Sequence, residues 1–315
     1  MVAAVADVRG IRVRRALPAA VLMYHRIEHR DVDPLGLFVS PENFAAQIAA
    51  LRGIADIVPA AEILEPGPRA RVAITFDDGY ADNLYNAEPT LAAFDAPGCI
   101  FATNQFSPDS AEFWWDQLDH LFLREPCATP FVAAPLPGRH VRFDVRNAAG
   151  RTRAFSFLNR AFRTLQPGEQ QSCLEALHAQ LGVSSVCCAE HARLTANELE
   201  KLAAGGLIEI GGHTATHRAL STTNAADAQT EIAGNRRALT AVTGRAPRLF
   251  AYPYGDSEQR NWSEVRAAGY TFAFSTKSER LGAVYRPFLM PRIFVGDWGA
   301  SEFLARISGA LAVPA

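Results

Sequence analysis

The chain has 315 residues, 49 % of them hydrophobic and 20 % charged, which suits a folded globular protein and excludes a disordered or fibrous one. Its formal net charge of −2 supplies no global field for holding nucleic acid. No run approaches the roughly 18–20 consecutive apolar residues that a membrane-spanning helix requires.

Arg9, Arg12, Arg14 and Arg15 interrupt the apolar pieces of the first twenty residues, so no signal-peptide core is legible there. Cys99, Cys127, Cys173, Cys187 and Cys188 are odd in number, irregularly spaced and free of a C-x-x-C pair. Reduced thiols are expected rather than a disulfide framework or a thiolate zinc site. Both features lead to the expectation of a cytoplasmic protein, peripheral to the inner membrane at most.

Short apolar runs then recur, each ending in a polar cluster. Ala20–Tyr24 leads into His25, and Val72–Phe76 into Asp77-Asp78-Gly79. Cys99–Ala102 leads into Thr103-Asn104, Leu207–Ile210 into Gly211-Gly212-His213, Leu249–Tyr252 into Pro253-Tyr254-Gly255, and Thr271–Phe274 into Ser275-Thr276. Runs of four to six apolar residues suit strands buried on both faces of a parallel sheet. Helical patterns lie between them: one opens at Ser40-Pro41, with Phe44, Ile48 and Leu51 on one face, and others cover 84–94, 226–243 and 261–268. This alternation predicts an α/β fold, either a β/α barrel or a doubly wound sheet, with chemistry at the strands' C-terminal ends.

Residues 105–204 break the rhythm with Phe113-Trp114-Trp115, a Pro/Gly-rich patch over 126–138 and mixed helical stretches. The expected organisation is an N-terminal extension (1–19), a core made of 20–104 and 205–315, and an inserted lid or helical subdomain (105–204). The three aromatics either stack on a sugar or anchor the insertion, and Trp298 raises the same question; Met290 and Cys99 read as core. Within the insertion, Arg139, Arg142, Arg146, Arg151, Arg153, Arg160 and Arg163 face one acid, Asp144. They form either a solvated face or a surface for an anionic partner such as a lipid pyrophosphate-linked glycan or a membrane.

Two constellations carry chemistry. Adjacent carboxylates point in different directions, so Asp77 and Asp78 can divide two jobs, one holding a metal and the other taking a proton; a plain Asp-Gly turn is the alternative. In His213-Thr214-Ala215-Thr216-His217 the i, i+4 histidines would share one face of a helical turn and one metal. No glutamate makes this H-E-x-x-H. Two imidazoles and a carboxylate suit Zn²⁺, and also Fe²⁺, Co²⁺ or Mn²⁺. In such hydrolytic sites the metal lowers the pKa of water towards about 7, and a neighbouring carboxylate serves as base.

Thr75-Phe76-Asp77-Asp78-Gly79 and the His213–His217 segment resemble the first two motifs of the polysaccharide deacetylases, the NodB-homology group or carbohydrate esterase family 4. Ala251-Tyr252-Pro253-Tyr254-Gly255 resembles the third. The resemblance implies a distorted (β/α)7 barrel that hydrolyses the N-acetyl group of an amino sugar. Asp77 would be the base, Asp78, His213 and His217 the metal ligands, and the Tyr254 backbone N–H an oxyanion donor. The substrate implied is an N-acetylated glycan or its lipid- or nucleotide-linked precursor; an amino-sugar N-deformylase and an inactive sugar-binding module are the rival readings.

Two departures stand out. The family's third motif carries an arginine where this chain has Ala251, and Arg292 in Met290-Pro291-Arg292-Ile293 is the candidate replacement. The family's C-terminal Leu-x-Leu-His, source of the general acid, is missing. His25, after Leu22-Met23-Tyr24, resembles the acid of the permuted poly-N-acetylglucosamine deacetylases.

Overall fold

The computed structural model describes residues 12–13, 18–106, 112–124, 127, 129–183, 192–282 and 284–311. Most of the 1–19 extension, and with it Arg9, Arg14 and Arg15, lies outside them, as do Cys187 and Cys188. Cys99, Cys127 and Cys173 are free thiols. The chain divides into two compact units, residues 1–106 with 194–315, and residues 107–193. The helix Ala196–Gly205, expected within the insertion, falls in the first unit.

The first unit is built on an eight-stranded sheet in which each strand pairs in parallel with its neighbours. Its path runs Phe272–Phe274, Leu249–Ala251, Ile208–Gly212, Gly98–Ala102, Arg71–Phe76, Ala19–Tyr24, Ile293–Phe294, with Asp56–Ile57 also on Arg71–Phe76. One segment joins the two edges. Met290 N donates to Ala273 O and Ser275 N to Met290 O, and a few residues later Ile293 and Phe294 pair with Leu22 and Met23. The curled sheet is of the (β/α)7 barrel type that the motif resemblance implies, and of the two folds that the apolar runs leave open it is the barrel.

Strand period two gives the sheet two buried faces. Val21, Ala73, Cys99, Phe101, Leu249, Ala251, Phe274 and Met290 form an inner cluster. Leu22, Tyr24, Val72, Ile74, Phe76, Ile100 and Ile210 pack outward with Phe44, Ile48 and Leu51 of the helix Pro41–Ile54. Small inner residues leave room for Phe101, and Gly211 follows from this: a Cβ there would overlap the Phe101 ring.

Helix boundaries obey local chemistry. Asn224 caps Ala225–Thr243 by accepting from Asp227 N, and Gly244 ends it at φ 69°. Thr195 and Glu198 form a reciprocal capping box at Ala196–Gly205. Ser40 departs from expectation. Pro41 does open its helix, but the Ser40 hydroxyl makes no cap and instead donates to Asp297 Oδ1 at 2.7 Å. The pattern over 84–94 breaks into a π turn, Asn83–Ala87, followed by Glu88–Ala93.

The second unit contains a hairpin as well as helices. Phe131–Leu136 pairs antiparallel with Arg139–Asp144 around Pro137 and Gly138, the latter at φ 74°. The helix Pro167–Leu181 docks on it through Gln180, which exchanges hydrogen bonds with Ala133 N and O, both 2.8 Å. Phe113, Trp114 and Trp115 are all buried. Phe113 stacks on Trp115 at 4.5 Å and Trp114 packs on Phe162 at 5.3 Å, so they are core of this unit and present no ring to a sugar. Met290 and Cys99 are core as expected, and Trp298, half-buried, packs on Phe294 under the Arg306 guanidinium.

Candidate active site

Strand Arg71–Phe76 runs out at the C-terminal end of the barrel into Asp77, Asp78 and Gly79. Asp78 (φ 74°) and Gly79 (φ 87°) are left-handed, which turns the two adjacent carboxylates in opposite directions. Asp77 faces Arg292; Asp78 faces the two histidines.

The Arg292 guanidinium, wholly buried, grips Asp77 at both oxygens, Nη1 to Oδ1 at 2.6 Å and Nη2 to Oδ2 at 2.7 Å. Nε donates to Ser275 O at 3.0 Å, which fixes the plane of the fork. Ala251 itself is a buried inner residue, and its carbonyl accepts from His213 Nδ1 at 2.8 Å. The guanidinium that the third motif lacks is thus supplied by the segment that closes the barrel. Burial opposes ionisation of Asp77, but Arg292 with the neighbouring histidines outweighs it and holds the carboxyl below its usual range.

Asp78 Oδ1 lies 3.3 Å from His213 Nε2 and 3.1 Å from His217 Nε2. All three residues are buried, and they form a grouping suited to a metal ion among the described residues. The donor set passes a simple fit test. Ligands each about 2.1 Å from one ion at a tetrahedral angle sit about 3.4 Å apart, close to these separations. Each imidazole is also steadied at its other nitrogen, His213 Nδ1 by Ala251 O and His217 Nδ1 by the Tyr254 hydroxyl at 2.9 Å, which leaves Nε2 to coordinate. Burial again disfavours the charged form of Asp78, yet His217 and His213 bring its carboxyl well below the ordinary range. Burial lowers the pKa of His217 against the pull of Asp78, favouring the neutral ring that a metal needs.

The histidines do not sit on a helical turn. Thr214 (φ 62°) and His217 (φ 59°) are left-handed, which no helix tolerates, and the segment is a loop after Ile208–Gly212. Its shape is imposed from the helix Ala225–Thr243. Glu231 accepts from Thr216 N and Oγ1 at 2.8 and 2.7 Å. Asn235 accepts from His213 N at 3.0 Å and donates to Ala102 O and Asn104 Oδ1. Neither residue was singled out from sequence. Their signal was a buried Glu and Asn at i, i+4 on an otherwise amphipathic helix.

His25 ends strand Ala19–Tyr24, with Nε2 4.0 Å from Asp77 Oδ2 and a largely buried ring whose Nδ1 makes no hydrogen bond. The peptide after it is clamped on both sides, because Asn83 Nδ2 donates to His25 O and Arg26 N donates to Leu37 O, and Ile27 N donates on to Asp82 Oδ1. Asp82 is held in turn by the buried Arg26, which lies between the Phe38 and Tyr80 rings. Tyr254 occupies a left-handed turn (φ 59°) after Pro253. The barrel mouth thus gathers Asp77, Asp78, His213, His217, His25, Tyr254 and Arg292.

Residues 175–273 match the family described as polysaccharide deacetylase, a span that includes His213, His217 and Tyr254. Among curated proteins none matches the chain. The solved structures it resembles include the deacetylase PplD of Streptococcus pyogenes, in complex with acetate, at 15 % identity and TM-score 0.60, covering 93 % of this chain and 98 % of that one. IcaB from Ammonifex degensii is similar at 17 % identity and TM-score 0.58, covering 95 % and 100 %. BC0361, a polysaccharide deacetylase from Bacillus cereus, is similar at 18 % and 0.57, covering 92 % and 69 %. At these identities the likenesses establish the fold.

Over residues 175–273, about a third of its length, the chain is similar to the polysaccharide deacetylase family. Members of that family are hydrolases acting on the N-acetyl amide bonds of sugars.

Proposed function

We propose that this protein is a divalent-metal-dependent N-deacetylase of an N-acetylated amino-sugar glycan, or of its lipid- or nucleotide-linked precursor. One observation carries the reading: a buried carboxylate, Asp77, gripped by Arg292, lies beside an Asp-His-His cluster built to accept an ion. Zn²⁺ is the ion proposed, with Co²⁺, Fe²⁺ and Mn²⁺ compatible with the same ligands.

Asp78, His213 and His217 would hold the ion, which when bound polarises an amide carbonyl and acidifies water. Asp77, kept ionised by Arg292, accepts the proton of the attacking water. The Tyr254 backbone N–H donates to the oxyanion of the tetrahedral intermediate. His25 hands a proton to the departing amine nitrogen as the C–N bond breaks. Acetate and a free amino sugar leave.

The test couples metal analysis to acetate release from a panel of N-acetylated oligosaccharides and nucleotide- or lipid-linked sugars. Acetate is expected from the wild type and not from Asp77→Asn. Equal release from Asp77→Asn would overturn the mechanism. Formate release from N-formyl sugars in place of acetate would move the reading to a deformylase, and bound metal without any hydrolysis to a binding module.

A further inference from the structure

The second unit carries a cavity of about 490 Å³ between the strand Arg139–Asp144 and the helix Ala148–Phe162. Arg142, Arg153 and Arg160 line it, with Ser156 between the two helical arginines. Positions 153, 156, 157 and 160 follow the i, i+3, i+4, i+7 spacing of one helix face. Phe143 and Phe157, 5.4 Å apart between ring centroids, supply an apolar wall.

This concentration of positive charge is not neutralised from within. Asp144, the one acid lining the cavity, is held by Arg146 through Nε at 3.0 Å and Nη2 at 2.6 Å. Arg153 feels Asp144 only through space, and among the described residues neither Arg153 nor Arg160 has a hydrogen-bond or ion-pair partner. Arg142 lies with its guanidinium 4.0 Å over the Phe131 ring. Such stacking steadies the fork while its N–H edges remain free to donate. Three like charges around one cavity repel each other unless an anion sits among them.

The donors also suit a particular shape of anion. Arginine forks bind phosphate oxygens in pairs, and Arg153 and Arg160 are rooted about 10 Å apart along the helix axis. Two forks rooted that far apart on one face of the helix suit a chain of two phosphates better than a single orthophosphate. We infer that this cavity is a binding site for a diphosphate-bearing molecule, with Arg142, Arg153 and Arg160 as its ligands. The chemistry is shared by a nucleoside diphosphate and by a lipid diphosphate.

Inorganic pyrophosphate, titrated calorimetrically into the full chain at low salt, is the probe. An ion in the Asp-His-His cluster would also attract pyrophosphate, so the titration is repeated on Asp78→Asn. Binding is expected to survive Asp78→Asn and to weaken about tenfold for each of Arg153→Gln and Arg160→Gln. Both arginines are exposed on a helix and glutamine is a good helix former, so circular dichroism should be unchanged. Binding that vanishes with Asp78→Asn, ignores both arginine substitutions, or never occurs overturns the site. UDP and vesicles of phosphatidylcholine doped with a polyprenyl diphosphate then separate the sources: arginine-dependent binding to either assigns it, and binding to neither overturns the inference. No arm reads hydrolysis, so this site can fail or stand independently of the deacetylase reading.

Discussion

Replacing Arg292 by Met tests the most buried electrostatic contact in the barrel. The guanidinium and carboxylate are both out of water and meet through two charge-assisted hydrogen bonds of 2.6 and 2.7 Å. Breaking a buried pair by removing one partner strands the other and costs about 3–5 kcal/mol. Arg292→Met should therefore lower the urea-unfolding free energy by that amount. The loss should be much smaller in an Asp77→Asn background, where no charge is left stranded, giving a coupling of about 2 kcal/mol or more in the double-mutant cycle. A second readout concerns the base. With Arg292 gone, burial governs Asp77 and its carboxyl pKa rises. A base must be ionised, so the acid limb of the deacetylation profile should move to higher pH. A coupling below about 0.5 kcal/mol, together with an unmoved limb, would refute the assignment of Arg292 as the partner of Asp77.

Three further perturbations follow from the same geometry. Tyr254→Phe removes the hydroxyl held 2.9 Å from His217 Nδ1 and should weaken metal binding about 10–100-fold in a competition titration, with the fold unchanged. Gly211→Ala drives a methyl into the Phe101 ring and should cost about 1–3 kcal/mol by urea unfolding, partly relieved by Phe101→Leu. Asp77 and Asp78 both have folded pKa values below the ordinary carboxylate value of about 3.9. Their contribution to stability is therefore present above that value and is lost as pH falls through the folded values. The drop in urea midpoint between neutral and acid pH should be shallower in Asp78→Asn than in the wild type.

The candidate site was legible because its motifs are local. Asp77-Asp78-Gly79 and His213 with His217 are short motifs at the ends of apolar runs, and the length of those runs marks strands buried on both faces. The loop geometry was not legible. Spacing alone suggested a helical turn for the two histidines, whereas Thr214 and His217 adopt left-handed backbone in a loop held by Glu231 and Asn235. Those contacts cross 15 and 22 residues, and no periodicity in the chain announces them. Phe113-Trp114-Trp115 left two readings open, since an aromatic run reads alike whether it faces a sugar or a core. The hairpin at 131–144 was hidden because Pro135 and Gly138 read as loop chemistry, although one pairs in the hairpin and the other turns it.

The closing segment has a temporal consequence as well as a geometric one. Arg292 meets an aspartate 215 positions earlier, and it does so from the residue just before the sheet's strand latest in sequence, Ile293–Phe294. Contacts so distant in sequence form late, after the entropy of closing that loop has been overcome. Until the residues around 290 dock between Phe272–Phe274 and Ala19–Tyr24, Asp77 lacks its guanidinium partner. Completion of the barrel and pairing of Asp77 with Arg292 are then a single event. A partly folded chain with the Asp77-Asp78 and His213–His217 motifs already formed would still lack that pair, so the pair reports closure of the sheet.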